Sequence, residues 1–140
     1  MPTDPTQPRT NRLDLNAALR AFAILTLPSA AILAENVTAA GPVAFDPTLN
    51  PLVNTIVDVV RGRTFHTVAV STAPGTTMDA TVQIEGALEG DGPNWLPLVG
   101  TGITAPGIYT FRASVNAIQV NVTSYTSGTL TVKLQSQYGG

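Results

Sequence analysis

Residues 117–136, AIQVNVTSYTSGTLTVKLQS, constrain the fold more than any other stretch of the chain. Ile118, Val120 and Val122 alternate with Gln119, Asn121 and Thr123. Beyond Tyr125-Thr126-Ser127-Gly128, Leu130, Val132 and Leu134 alternate with Thr131, Lys133 and Gln135. A period of two in β-branched residues marks strands with one buried face. The stretch reads as a β-hairpin turning at residues 125–128. A lone hairpin is marginal in water, so its apolar face requires a second sheet to pack on.

The preceding residues supply the other strands. Residues 30–45 read as a strand, a turn at Ala39-Ala40-Gly41-Pro42 and a second short strand. Residues 46–54 form a proline-punctuated loop. Residues 55–72 hold two β-rich runs, TIVDVV and TFHTVAVST, that meet at Arg61-Gly62-Arg63. In residues 78–88, Val82 and Ile84 point inward, with Thr81, Gln83 and Glu85 outward. Trp95-Leu96-Pro97-Leu98 is a short strand, and Pro97 assigns it to a sheet edge. Residues 108–113 place Tyr109 and Phe111 on one face. About eight strands, with turn signals roughly every 8–12 residues, predict an all-β fold. The expected architecture is an antiparallel, jelly-roll-like β-sandwich over residues 30–140.

Residues 1–29 are expected to be an extended, partly helical N-terminal arm. Prolines at positions 2, 5 and 8 bar helix and ladder alike. Residues 11–27, NRLDLNAALRAFAILTL, favour a helix that Asp14 caps and Pro28 stops. Phe22, Ile24, Leu25 and Thr26 also fit a strand. The expected subunit contacts lie here: Leu13, Leu15, Leu19 and Phe22 by burial, Arg9 and Arg12 by pairing with carboxylates. Arg12 and Arg20, followed by AFAILTL and Pro28-Ser29-Ala30-Ala31, loosely imitate a secretory signal. The polar leader is too long for one and carries two Asp. The apolar run is shorter than the roughly 20 residues a membrane span needs.

Composition narrows the chemistry. The chain has no cysteine, which removes disulfides, thiolate metal sites and thiol nucleophiles together. Charged residues make up 11% of its 140 positions, against about 25% in an ordinary domain. Such a surface suits a protein covered by neighbours in an assembly. The net charge of −2 offers no basic excess for nucleic acid. His66, the only histidine, shares a face with Val68 and Val70 and reads as a core residue. Glu85, Glu89 and Asp91 sit close in a Gly-rich loop of the kind that can ligate a hard cation, but the EF-hand spacing is absent and such acidic turns are common without metal. With Asp79 they could in principle form a glycosidase pair, whose separation sequence does not give. Trp95 and Tyr109 read as core aromatics, with Tyr125 exposed in the turn and Tyr138 near the C-terminus. No nucleophile–base pair stands out. The expectation is therefore no catalytic residue, cofactor or metal, and no enzyme.

Three stretches together resemble a family. TVQIEGALEGDGPNWLPL, ITAPGIYTFRA and AIQVNVTSYTSGTLTV are similar to small β-sandwich structural proteins of tailed bacteriophage particles. The matching positions are Val82, Ile84, Glu85, Gly86, Leu88, Gly90 and Trp95, then Ile103 to Ala105, Gly107 and Tyr109. Val120 and Val122 to Val132 complete them. The chain departs at Ala87, where the family carries Ser, and in a longer Gly-Pro loop after Glu89. The resemblance covers residues 81–132 well, residues 30–71 loosely and the arm not at all. It implies a virion structural protein without catalytic residues, most simply a capsid decoration or cement protein. It would sit on the outer surface of the capsid, with the major capsid protein as partner and a homo-oligomer, expected as a trimer, as its state. Neither nucleic acid nor membrane is an expected partner. The alternative is a tail- or fibre-associated module that binds a host glycan.

Overall fold

A computed structural model describes residues 28–88 and 94–138. Eight strands form two four-stranded sheets: β1 (Ala30–Val37), β2 (Gly41–Val43), β3 (Phe65–Thr72), β4 (Asp79–Ala87), β5 (Leu96–Pro97), β6 (Gly107–Arg112), β7 (Ala117–Ser127) and β8 (Leu130–Gln137). One sheet has the order β1-β8-β3-β6 and the other β2-β7-β4-β5, with every pairing antiparallel. First pairs with last, second with seventh, third with sixth and fourth with fifth. This is the path of a long double strand rolled into a sandwich, the jelly roll.

The expected hairpin at residues 117–136 is therefore not a hairpin. β7 belongs to one sheet and β8 to the other. The two strands do not pair; they face each other through the core. Ile118, Val120 and Val122 on β7, and Leu130, Val132 and Leu134 on β8, are all buried. Alternation tells which side chains point inward but not which strand lies alongside. A hairpin and a crossing between sheets satisfy the same pattern. The crossing takes two residues, Gly128 and Thr129. Gly128 adopts φ +114°, and a Cβ there would meet Met78 Cα at 3.2 Å and Thr72 Oγ1 at 3.3 Å. Glycine is needed here both for the dihedral and for the space.

A second departure is TIVDVV, which forms a short helix, α1 (Ile56–Val60), instead of a strand. Ile56, Val59 and Val60 are its buried residues, and i, i+3, i+4 is the helical spacing. Asp58 accepts a bond from the Thr55 N–H at 3.4 Å, as in a capping box. Packing of one stripe outweighs the modest β preference of Val and Ile. Gly62, at φ +77°, follows directly.

The core lies between the sheets, with Ile84, Ile118, Val120, Leu130 and Leu134 among its largest sealed side chains. Tyr109 and Phe111 pack against it from β6, as their shared face predicts. β5, with Pro97, is an edge strand pairing only with β4. Gln83 points outward as expected but is buried all the same. Residues 98–102 loop over it: its Oε1 accepts the Val99 N–H at 3.2 Å and its Nε2 donates to Gly100 O at 3.3 Å.

Asn50, buried in the loop before α1, closes part of the β1 edge. Its Oδ1 accepts the Ile32 N–H at 2.7 Å and its Nδ2 donates to Ile32 O at 2.9 Å. The side-chain amide thus stands where a neighbouring strand's peptide would pair. Asn50→Ala should lower stability by about 1–3 kcal/mol, because Ile32 loses both partners in a partly buried place. Chemical denaturation with the slope held constant measures this. An unchanged midpoint would contradict the assigned role.

Candidate functional site: the root of the arm

All six expected subunit contacts, Arg9, Arg12, Leu13, Leu15, Leu19 and Phe22, lie outside the described residues, as do the expected arm with its helix, Glu89 and Asp91. The structure does describe Pro28 and Ser29, where the expected arm would meet the sandwich. Pro28 O accepts a bond from Arg63 Nη1 at 2.6 Å, and Ser29 O accepts one from the Ser136 N–H at 2.7 Å. The same Arg63 nitrogen donates to Val59 O, in the last turn of α1, at 2.8 Å. Tyr138 lies under the guanidinium, with the ring centroid 5.4 Å from Cζ. One buried arginine therefore ties Pro28, α1 and the residue after β8 together. Guanidinium suits this work, since it offers five fixed donors and a flat face for an aromatic ring.

Beside this clamp opens an apolar groove of about 440 Å³, lined by Pro28, Ala31, Ile32, Leu52, Val53 and Leu134 among others. Leu52, on its rim, is 85% exposed. A second hollow of about 490 Å³ is lined by Gly86, Leu88, Leu96, Leu98 and Val115 among others.

The chemistry candidates disperse. His66 is fully buried. Its Nε2 lies 3.1 Å from Ala113 O, so that nitrogen carries the proton, and its Nδ1 accepts the Ser136 hydroxyl at 2.8 Å. A Ser–His contact is the start of a nucleophilic site, but this one is sealed inside the sandwich with both ring nitrogens engaged. Glu85 accepts bonds from Gln119 Nε2 at 2.9 Å and Asn121 Nδ2 at 3.1 Å on the outer face of β4 and β7. Among the described residues, no acidic or histidine cluster gathers as a metal site, and no helix is long and apolar enough to cross a membrane.

The aromatics do not assemble into one platform. Tyr109 is in the β1–β8–β3–β6 sheet, and its hydroxyl donates to Ala105 O at 2.6 Å. Tyr125, expected to be exposed, is half-buried at the end of β7 and donates to Gly128 O at 2.5 Å. It braces the crossing between sheets, which is why the turn folds it back. Trp95 packs against the core beside β5. Tyr138 alone among the four is well exposed, and Arg63 covers one of its faces. Arg63 itself escaped the sequence reading. An arginine beside a glycine looks like a solvated turn, and only the tertiary fold shows it to be buried.

No family model, no curated protein and no solved structure matches this chain. The likeness to phage virion proteins rests on the residues quoted for it above.

Burial holds the His66 imidazole below its ordinary value near 6.5. The unfolded chain takes up a proton there and the folded chain resists it. Stability is therefore fully present above about pH 6.5 and declines as pH falls below that value. Denaturation midpoints should drop between pH 7.5 and 5.5, and His66→Gln should flatten that slope. A slope of the same size in the variant would assign the effect to other groups.

Proposed function

We propose that the chain is a virion structural protein, a decoration or cement protein on the outer surface of a phage head. Its sandwich would rest over junctions between capsid subunits, and its arm would reach across a neighbour. The observation that carries this reading is the held root of the arm. Arg63 and Ser136 fix Pro28 and Ser29 at one end of the sandwich, beside an apolar groove. Residues upstream of Pro28 thus leave from a defined point, and their apolar run, ALRAFAILTL, has surface to gain from a partner. The jelly roll agrees with this, being common among capsid proteins, and so does the low charge. Jelly rolls also serve as lectins, but the dispersed aromatics give the glycan-binding alternative no surface to start from.

The mechanism is mechanical. Ordering an arm costs conformational entropy, which burial of Leu13, Leu15, Leu19 and Phe22 against the major capsid protein offsets. Self-association adds avidity without a stronger single contact. A chain lacking residues 1–20 should keep its β-sheet circular dichroism and fail to co-sediment with undecorated heads, which the full chain binds. Equal binding by both chains would refute the arm mechanism.

A further inference from the structure

The four sheet edges are not alike. β1 is bulged at two places and capped by Asn50 at Ile32. β2 is three residues long and contains Pro42. β5 is two residues long and contains Pro97. Short length, bulges, proline and side-chain caps are the devices that stop a sheet from pairing with another chain. β6 (Gly107–Arg112) has none of them. It pairs with β3 over six consecutive residues with no shift of register. Among the described residues nothing pairs with its outer side. Ile108, on that strand, is 75% exposed.

The phase of the ladder settles which groups are free. Ala113 N–H donates to Thr64 O at 3.0 Å, so the peptide N–H of residue 113 faces the β3 side. Alternation then points the peptide groups of Tyr109 and Phe111 toward β3 and those of Ile108, Thr110 and Arg112 outward. The far side of β3 agrees, since Ala73 N–H donates to Thr129 O beyond β8.

We infer that β6 is a self-association edge: two copies pair β6 to β6 antiparallel about a two-fold axis through Thr110, joining two four-stranded sheets into one of eight. The occupant is a second copy because the strand complements itself. In this register Thr110 meets Thr110 of the second copy, and Ile108 meets Arg112. These are the residues whose peptide groups point outward, so about six backbone bonds form. Tyr109 falls opposite Phe111 in the pairs where side chains come closest. Both rings are half-buried at the open margin of the core, and cross-strand aromatic pairs stabilise a ladder. β6 carries no acidic residue, and its one cation, Arg112, is set four residues away from its own copy's Ile108, so like charges do not meet. The pairing is isologous and closes at two. It is independent of what the chain decorates.

The chain has no cysteine, so one introduced thiol reports one contact. A hydrogen-bonded antiparallel pair brings Cα atoms to about 5.5 Å, within disulfide reach. Thr110→Cys in the full chain should oxidise to a disulfide-linked dimer, while Gln135→Cys, on the same sheet face two strands away, should form no such link. Light scattering over a concentration series should show a dimer for the native chain. Thr110→Pro removes only an outward N–H, so it should return the monomer mass with the sheet spectrum intact. A native chain that stays monomeric with no Thr110→Cys disulfide would overturn the inference. So would a dimer undiminished by Thr110→Pro, or cross-linking equal at both thiols.

Discussion

Everything in this structure depends on one constraint: strands with a single apolar face must close on each other across the gap between two sheets. The chain has no disulfide to fall back on and little charge to organise its surface. Burial of Val82, Ile84, Val120, Val122, Val132 and Leu134 supplies the driving force, at about 1.5–3 kcal/mol for each fully buried aliphatic side chain. Because consecutive strands mostly fall in opposite sheets, these contacts join distant parts of the sequence. β1 is held by β8, and the whole domain closes on that pairing.

The same arrangement explains the division of labour along the molecule. Connections across the sandwich at Gly128 are tight and leave no room for a side chain. The end that carries Pro28 and Ser29 is built differently, with a loop, a short helix and a buried arginine packed together. Arg63 does there what a strand partner does elsewhere. It satisfies carbonyls that the ladder does not reach, those of Pro28 and Val59, which would be costly to leave unpaired. Among the described residues, the one buried arginine thus sits at the junction with the segment that the functional reading needs most.

Much of the fold was legible in the residues. The alternation in β4, β6, β7 and β8 marked the inward faces correctly, and Pro97 marked an edge. What failed was pairing. The pattern 118–120–122 and 130–132–134 is indifferent to whether its strands lie side by side or face to face, and the two-residue crossing at Gly128 and Thr129 looks like a hairpin turn. Ile56, Val59 and Val60 were misread because β-branched residues were weighed above their spacing. The site was less legible. Asn50, Arg63 and Gln83 look like loop or surface residues in sequence, and their roles arise only when distant backbone groups come within reach. The burial of His66 was legible from its apolar companions, though its bond to Ser136 was not.

The central claim is that this jelly roll rests on the outside of a phage head with its arm across a neighbouring subunit. An electron cryomicroscopy reconstruction of the intact particle tests it directly. The account predicts eight-stranded sandwich density on the outer surface of the head lattice, with chain running from Pro28 onto an adjacent capsid subunit. Density for the domain in the tail, or a particle without it, would contradict the account.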